Sequence, residues 1–362
     1  MKNNLQDTRE KRGIRNTHNI ISIIFLSLVS IMALSFSIFL LVKNAILQRE
    51  EAAFRNELDS LSSEGYYTYA EVQKMTEEAA KESEERTRES IKDMIRKKLE
   101  AGDGAPAAVR ALFPDQLVVG NGGKYFFLPI SDEIEHHEFK EDDFELVDNG
   151  FIEYVGDNTD LNIKQGVDVS RFQGDIDWEK VKGDGIEFAM IRAGYRGSSE
   201  GKLLEDDKFV DNIEGALENG IEVGVYFYSQ AVNKEEALEE AQILLDMIEP
   251  YHVTYPVVID IESAETDNAR TSELSTDEYE EAAKAFCETV KAAGYKPMIY
   301  GNVKSYTLLM DAIDVDDYDI WIAYYGVPLY YPYHFNMWQY SSTGKVNGID
   351  GNVDLNICIS EY

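Results

Sequence analysis

The hydrophobic pattern of the chain begins with an uncharged apolar run from Ile20 to Val42. At about 1.5 Å rise per residue, a helix of that length crosses the roughly 30 Å hydrocarbon core of a bilayer. Residues 1–19 carry more basic than acidic side chains, which favours a cytoplasmic location for this end. A cleaved signal peptide usually has a shorter apolar region, of about 7–15 residues. We therefore predict a cytoplasmic tail at 1–19, a transmembrane anchor at 20–42 and an extracellular location for the rest.

Residues 43–101 are charged, free of proline and rich in helix-favouring side chains. Their apolar residues recur at spacings typical of one helix face. Gly65 and the tyrosines after it interrupt the pattern, so it does not extend over the roughly three or four heptads that a coiled coil requires. The segment is predicted to be a helical stalk, and weak self-association through it is left open.

Residues 102–163 change to short β-prone runs separated by Asn-Gly and Asp-Asn-Gly turn signals. This pattern predicts a linker followed by a small β-rich module, and it indicates no function for that module. His136 and His137 lie in an acidic stretch, where adjacent histidines are more typical of solvated side chains than of metal ligands.

From residue 164 to residue 362, strand-like runs alternate with helical ones, which predicts an α/β fold with a parallel sheet. The predicted strands are Gly166–Ser170, Glu187–Gly194, Glu222–Ser229, Tyr255–Glu262, Lys296–Asn302, Asp319–Tyr325, Met337–Ser342 and Asn352–Ile357. The predicted helices are Trp178–Gly183, Asp206–Asn219, Glu235–Met247 and Asp277–Ala293. The gaps before the last two strands have no helical period. We therefore expect an irregular TIM-like (β/α) barrel whose last strands lack covering helices.

Composition narrows the possible partners. The formal net charge of −34 at pH 7 disfavours nucleic acid and anionic lipid headgroups. Only two cysteines occur, Cys287 and Cys358, too few for a disulfide-stapled scaffold. Neither lies in a zinc-ligand spacing, so the sequence predicts no metal site at the cysteines.

Strand alternation directs several carboxylates to one place. In the run that ends at Asp260 and Glu262, both acids share one face and the apolar residues share the other. Asp168 and Asp354 alternate with apolar neighbours in the same way. The apolar face must meet the helices, so the four acids are predicted to point into the barrel at its C-terminal end, where such barrels hold active sites. The alternative is that each acid is an exposed residue at a strand end or a partner of Arg192 in an ion-pair network.

A cluster of carboxylates in a cleft keeps at least one proton, and a protonated acid beside ionised ones is the arrangement that cleaves glycosidic bonds. Aromatic residues occur at or near the same strand ends and are either sugar-stacking or interior packing residues. They are Tyr195, Tyr226, Tyr228, Tyr300, Trp321, Tyr324, Tyr325, Trp338 and Tyr340. The predicted substrate-binding residues are Tyr226, Arg192, Tyr300, Trp321, Tyr324, Trp338 and Gln339.

Six segments in order carry a family resemblance: GVDVSRFQGDIDWEKVKGDGIEFAMIRAGYRG, GVYFYSQA, YPVVIDIE, KPMIYGN, IWIAYY and MWQYSSTGKVNGIDGNVDLN. Over roughly residues 164–360 the chain resembles glycoside hydrolase family 25, the bacterial lysozymes of the Chalaropsis type. The resemblance implies hydrolysis of the β-1,4 bond between N-acetylmuramic acid and N-acetylglucosamine in peptidoglycan, without a cofactor.

The same resemblance implies roles for individual residues. Glu262 becomes the general acid, Asp260, Asp168 and Asp354 its companions, and Tyr226 a substrate-site residue. Members often have Tyr-His-Phe where this chain has Tyr-Phe-Tyr at 226–228, so the role of Tyr228 is not carried over.

Two other readings remain. A chitinase-type barrel of glycoside hydrolase family 18 also ends a strand in Asp-x-Glu, but it expects acids where this chain has Val258 and Tyr255. A non-catalytic wall-binding anchor on a degenerate barrel is the second. The mechanism is also open between attack by the substrate's own acetamido group, with Asp260 stabilising the ring cation, and inversion by water activated at Asp168 or Asp354. Of the neighbouring pair Asp260 and Glu262, we expect Glu262 to keep the proton.

Overall fold

A computed structural model of the chain describes residues 3–62, 67–102, 104–264 and 268–362, with side chains from residue 24 onward except at 58, 59, 61 and 62. Gly65, at which the sequence predicted a break in the stalk, lies outside the described residues. The chain divides into two compact units, Met1–Asp103 and Gly104–Tyr362.

The first unit consists of two helices, α1 (Asn3–Ser62) and α2 (Tyr69–Glu100). Within the described residues, one segment of α1, Ile24–Glu57, is long and apolar enough to cross a membrane. Its apolar side chains are exposed along the helix, as expected for a segment whose solvent is lipid. Helix α2 begins with a capping box in which Thr68 and Glu71 satisfy each other's backbone N–H groups. Helix α1 runs through the predicted tail and anchor into the predicted stalk, and the bounds of these segments and the role of α2 as a stalk stay predictions.

The second unit begins with a short helix and four short strands that pair as two hairpins. They are α3 (Ala105–Arg110), β1 (Gln116–Asn121), β2 (Lys124–Pro129), β3 (Phe144–Leu146) and β4 (Ile152–Tyr154). We call this region, residues 104–163, the β module. The predicted β-rich character of the segment is confirmed by these hairpins.

The rest of the second unit is a barrel-like sheet with covering helices. Its strands are β5 (Lys164–Val169), β6 (Phe188–Arg196), β7 (Leu203–Glu205), β8 (Glu222–Tyr228), β9 (Val257–Asp260), β10 (Pro297–Asn302), β11 (Asp319–Ala323), β12 (Met337–Gly344) and β13 (Val353–Cys358). Its helices are α4 (Trp178–Gly183), α5 (Phe209–Glu218), α6 (Lys234–Ile248) and α7 (Thr276–Ala292). All eight predicted strands and all four predicted helices are present; α4 has the predicted ends, and the ends of the other elements are shifted.

Among the described residues, eight strands close into a ring in the order β5, β6, β8, β9, β10, β11, β12, β13, and β13 pairs back with β5. Strand β7 extends the end of β6 as an antiparallel neighbour. Strand β13 runs antiparallel to both β12 and β5, whereas the other ring pairings are parallel. The prediction of a parallel sheet is therefore wrong for the last strand. Its reason is the short link from β12, since a parallel crossover needs about a dozen residues or more.

Two layers of apolar side chains fill the barrel. The outer layer lies between the strands and their covers and includes Val167, Ile259 and Trp338. The inner layer fills the end of the barrel opposite the strand C-termini and includes Phe188 and Met190. At Gly166 a Cβ atom would lie 2.2 Å from the ring of Phe188, so only glycine leaves room for this inner packing.

The β module covers the barrel on the side of β11–β13, where the sequence predicted no helices. The ring of Phe144 meets Trp338 edge to face at 5.6 Å, and Ile152 is fully buried in the outer layer. The hydroxyl of Tyr330 accepts a hydrogen bond from the backbone of Val118 at 2.8 Å. The module thus takes the place that helices occupy on the other side of the barrel.

Candidate active site

A cleft of about 530 Å³ opens at the end of the barrel where the parallel strands have their C-termini and the antiparallel β13 begins. It is lined by all four predicted acids together with aromatic and polar residues, and it includes five of the seven predicted substrate-binding residues. These five are Tyr226, Arg192, Tyr300, Trp321 and Gln339.

Each acid reaches the cleft because of its place on a strand. Asp260 is the last residue of β9, and Glu262 follows two positions later on the same side. Asp168 and Asp354 face each other directly across the antiparallel pair β5 and β13. Their apolar neighbours belong to the outer layer. Strand alternation therefore placed the four acids in one basin, as expected.

Asp168 is held in place by two amides. Its Oδ2 accepts hydrogen bonds from Nε2 of Gln339 and Nδ2 of Asn356, both at 2.8 Å. Burial raises the pKa of Asp168, and these hydrogen bonds oppose the rise because they stabilise the charged form. Burial also raises the pKa of the adjacent Asp354, and the charge of Asp168 and the hydrogen bond between the two carboxyls add to that rise. The arrangement puts the proton on Asp354 and the charge on Asp168.

The two amides are themselves oriented by aromatic residues. Oε1 of Gln339 accepts hydrogen bonds from the hydroxyls of Tyr300 at 3.0 Å and Tyr325 at 2.9 Å. Oδ1 of Asn356 accepts one from Nε1 of Trp321 at 2.9 Å. Because each amide oxygen is occupied in this way, each amide nitrogen must point at Asp168. The network fixes the position of this carboxylate before any substrate binds.

Asp260 occupies the deepest part of the acid cluster. It is 5% exposed, and its Oδ1 has no hydrogen-bond partner among the described residues. Burial raises the pKa of Asp260 well above its usual range, the charges of Glu262 and Asp168 add to the rise, and Arg192 opposes it. Glu262 is only half-buried. Burial and the neighbouring charges thus oppose ionisation of Asp260 in the free protein, and the expectation that Glu262 keeps the proton of the pair stays a prediction.

The ion-pair partner of Arg192 is Asp206, which is not one of the four acids. The Nε of Arg192 donates to Oδ2 of Asp206 at 2.7 Å, and the Asp206 side chain is fully buried. Asp206 was predicted to begin a helix, but α5 starts later, at Phe209, and Asp206 serves as the partner of Arg192 instead. The ion pair that Arg192 forms among the described residues is thus with Asp206, and the ion-pair alternative for the four acids stays open.

Two predicted substrate-binding residues lie outside the cleft. Trp338 is fully buried in the outer layer, and its Nε1 donates to the carbonyl of Tyr324 at 2.8 Å. The hydroxyl of Tyr324 accepts a hydrogen bond from Arg110 of the β module at 3.1 Å. Both predictions were wrong because alternation turns these residues outward, whereas Trp321 and Gln339 turn inward.

The sequence reasoning missed the turn that follows β5. Ser170 and Gln173 cap a 3-10 turn reciprocally, and the turn places Arg171 and Phe172 on the rim of the cleft. The Phe172 ring is 74% exposed, with the guanidinium groups of Arg171 and Arg192 at 5.2 and 5.1 Å from its centre. The Ser-x-x-Gln spacing is a capping-box pattern and could have revealed the turn.

Tyr195, Tyr228 and Tyr325 also line the cleft, whereas Tyr340 faces outward and donates a hydrogen bond to Gln165 at 3.2 Å. Cys287 and Cys358 are buried thiols. Within the described ranges, no group of three or more His, Cys, Asp or Glu side chains is arranged to hold a metal ion.

A barrel-like sheet with clustered carboxylates and aromatic rings at its strand ends defines a carbohydrate-cleaving class of site. The family model "Glycosyl hydrolases family 25" matches residues 167–349. The chain belongs to this family and is a glycoside hydrolase of the lysozyme type.

The relatives agree with that assignment. Uncharacterized protein YegX of Escherichia coli is 31% identical over 201 residues, which cover 53% of this chain and 68% of that protein. Lysozyme M1 of Streptomyces globisporus is 30% identical over 204 residues, 53% of this chain and 66% of the relative. The structure of the modular autolysin LytC from Streptococcus pneumoniae with a synthetic peptidoglycan ligand matches with a TM-score of 0.50 and 26% identity. That match covers 66% of this chain and 51% of LytC, so the chain spans about half of that relative.

Proposed function

We propose that this protein is a peptidoglycan hydrolase that cuts the β-1,4 bond between N-acetylmuramic acid and N-acetylglucosamine. The observation that carries the proposal is the cleft in which Asp168, Asp260, Glu262 and Asp354 converge in a chain of this family. The names of the relatives, a lysozyme and an autolysin with a peptidoglycan ligand, support peptidoglycan as the substrate.

Glu262 is proposed as the general acid. It is the most solvent-accessible of the neighbouring pair and lies at the cleft surface, where it can meet the glycosidic oxygen. Its proton passes to that oxygen as the bond to the sugar carbon breaks, and the leaving sugar keeps the bonding electrons. A bound glycan excludes water from Glu262, and the charges of the other acids oppose its ionisation, so substrate binding favours the protonated form that the reaction needs.

The attack on the sugar carbon has two routes. In the first, the 2-acetamido oxygen of the substrate attacks, and Asp260 stabilises the positive charge that develops. In the second, a water molecule attacks and gives its proton to Asp168 or Asp354. The charged state of Asp168, fixed by Gln339 and Asn356, supports it as the base of the second route. The product anomer separates the routes, because neighbouring-group attack retains configuration and direct attack by water inverts it.

The substrate assignment is tested by digesting purified peptidoglycan with the full chain in detergent micelles and reducing the products with borohydride. Mass spectrometry should find muramitol at the new ends. Glucosaminitol would identify another glycosidase specificity, and binding without release would favour the wall-anchor alternative. The Glu262→Gln chain, prepared in the same way, is the control for contaminating hydrolases.

We also propose that α1 anchors the protein in the cell membrane with its N-terminus in the cytoplasm and the barrel outside. The apolar segment of α1 and the basic residues before it support this topology. Protease added to intact wall-stripped cells should remove the barrel and spare the tail. A barrel that stays intact while the tail is cut would show the opposite orientation.

A further inference from the structure

A second groove adjoins the catalytic cleft. It has a volume of about 740 Å³, within the range of roughly 300–1,000 Å³ that is usual for ligand sites. One wall is the β3–β4 turn of the β module, from Leu146 to Gly150, and the opposite wall is the end of β12 with its loop, from Ser341 to Lys345. Tyr325 lines both this groove and the cleft, so the two lie side by side.

The β-module wall of the groove is rigid. The backbone N–H of Val147 donates to the carbonyl of Phe151 at 2.9 Å, and the side chain of Asn149 accepts from the N–H of Phe151 at 3.0 Å. Gly150 completes the turn with a φ of +85°, a conformation that other residues rarely adopt. Phe144, at the start of the same hairpin, is held against Trp338. A preformed wall binds a ligand without an ordering cost.

The opposite wall, at the end of β12, is shaped by irregular pairing between β12 and β13. The pairing of β12 with β13 shifts register after Gln339 and again after Ser341. Such bulges bend a strand and re-aim its side chains. Ser342 and Thr343, which follow the first shift, are exposed and line the groove opposite the β-module turn.

The chemistry of the groove suits a sugar chain. Leu146 is 58% exposed, Val327 38% and Tyr325 56%, which offers apolar surface for sugar faces. Hydroxyl groups of Ser342 and Thr343 offer hydrogen bonds to sugar hydroxyls. The two charged side chains among its lining residues, Asp148 and Lys345, are opposite in sign and leave the groove near neutrality. A neutral polysaccharide fits this surface better than the carboxylate-bearing stem peptide does.

We propose that this groove is an additional glycan-binding subsite, which holds the continuation of the same polysaccharide strand beyond the catalytic cleft. The proposal rests on the proposed function, because an enzyme that cuts within a polymer binds sugar units on both sides of the bond. Four of the thirteen residues that line the groove lie within 146–150, outside the family match at 167–349. The β module is therefore a part of the substrate site, and it sets a preference for long strands.

The test uses the full chain in detergent micelles with two groove variants. Leu146→Ser removes apolar surface, and Thr343→Trp fills the groove. Leu238→Ser and Gln242→Trp make the same types of change on the outer surface of α6 and serve as matched controls. KM and kcat are measured on long glycan strands with their stem peptides, on strands freed of them, and on a peptide-free tetrasaccharide of the same repeat. The long and short peptide-free substrates carry the same free lactyl carboxylate on each muramic acid, so charge does not distinguish them.

The groove variants should raise KM for long strands about three- to tenfold, the effect of one partly buried apolar contact, with kcat unchanged. KM for the tetrasaccharide and both control variants should stay at the unmodified value. An equal rise on the tetrasaccharide, or no rise on long strands, would overturn the subsite. A rise confined to strands that carry stem peptides would overturn the glycan assignment in favour of a peptide site.

A binding measurement separates this proposal from the proposed function. In the Glu262→Gln background, affinity for uncut strands can be measured whether or not the protein hydrolyses them. Weaker binding in the Thr343→Trp double variant supports the subsite even if the cleavage specificity proves different. Unchanged binding refutes it, even if the muramidase activity is confirmed.

Discussion

The inner and outer faces of the barrel strands differ sharply at their C-terminal ends. On β12, Gln339 points inward and donates to the carboxylate of Asp168, whereas its neighbour Trp338 points outward and is buried in the apolar layer. On β9, Asp260 points inward with an unpartnered oxygen, and Ile259 points outward into the same apolar layer. Adjacent residues of one strand thus meet opposite environments.

The comparison teaches how the chain separates chemistry from stability. Outer-face side chains gain free energy by burial, at about 25 cal/mol per Å² of apolar surface. The inner-face acids are held close together and out of water, which raises their pKa values and costs stability at neutral pH. Substitutions on the inner face should therefore mainly reduce turnover, and substitutions on the outer face should mainly reduce the free energy of unfolding.

The largest effect is expected at Glu262. Glu262→Gln removes the proposed acid and keeps its size, so turnover on peptidoglycan should fall about 10²–10⁴-fold. Because the residue is half-buried and near other acids, the melting temperature should not fall. Steady-state kinetics and thermal unfolding are measured on the same preparation. Turnover near the unmodified value with an unchanged melting temperature would exclude Glu262 as the acid.

The next largest effect is expected on the outer face, at Trp338. Trp338→Ala leaves a cavity between β12 and Phe144 of the β module and should reduce the free energy of unfolding by about 3–5 kcal/mol. That corresponds to a fall in melting temperature of about 6–20 °C for a domain of this size. Turnover of the folded fraction at low temperature should change little. A loss of turnover without a loss of stability would return Trp338 to the substrate site.

The strand residues around the cleft show which parts of the site could be predicted from the sequence. The alternation of apolar and polar residues around Asp168, Asp260 and Asp354 was sufficient to predict a shared basin of acids, because a period of two specifies one face. The same alternation, applied to β11 and β12, would have placed Trp338 and Tyr324 outside. The prediction that Trp338 and Tyr324 bind substrate followed from their being aromatic and near strand ends. Alternation along the strand is the better guide to which side chains enter the cleft.

The antiparallel direction of β13 could also have been predicted from the sequence. Residues 345–352 separate β12 from β13, and a link of that length closes an antiparallel pair but not a parallel crossover. The packing of the β module against the barrel could not be predicted from the sequence. It depends on contacts such as Phe144 with Trp338, which lie far apart in sequence and follow no local period. Which of the acids hold protons could not be predicted either, because this depends on how deeply each carboxyl group is buried and not on the spacing of the residues in the sequence.

A smaller effect, opposite in sign, is expected at Asp354. Its pKa is raised by burial and by Asp168, so the folded state loses stability as the pH rises from the ordinary aspartate value of about 3.9 through the raised value. Asp354→Asn cannot ionise and can still donate a hydrogen bond to Asp168. Near neutral pH it should be about 0.5–2 kcal/mol more stable than the unmodified chain, with the difference vanishing below about pH 4.

Thermal unfolding across that pH range measures the Asp354 effect, and Asp132→Asn, at an exposed position, is the matched control. A difference that is equally large at acid pH would mean that packing, and not titration, is responsible. Lower stability at neutral pH would mean that the carboxylate is charged and satisfied in the folded protein.

The smallest effects are expected from two tyrosine hydroxyls, one on each face. Tyr324→Phe removes an acceptor for Arg110 on the outer face, and Tyr300→Phe removes a donor to Gln339 on the inner face. Each should cost about 0.5–1.5 kcal/mol of folding free energy, the usual net value of one hydrogen bond.

The consequences of the two tyrosine substitutions for activity should differ. Without Tyr300, Gln339 is less firmly oriented, so its hydrogen bond to Asp168 weakens and the pKa of Asp168 rises further. The acid limb of the pH–rate profile should then move to higher pH in Tyr300→Phe and stay in place in Tyr324→Phe. The same shift in both variants would mean that the two faces are coupled, and no shift in either would remove Asp168 from the groups that control the rate.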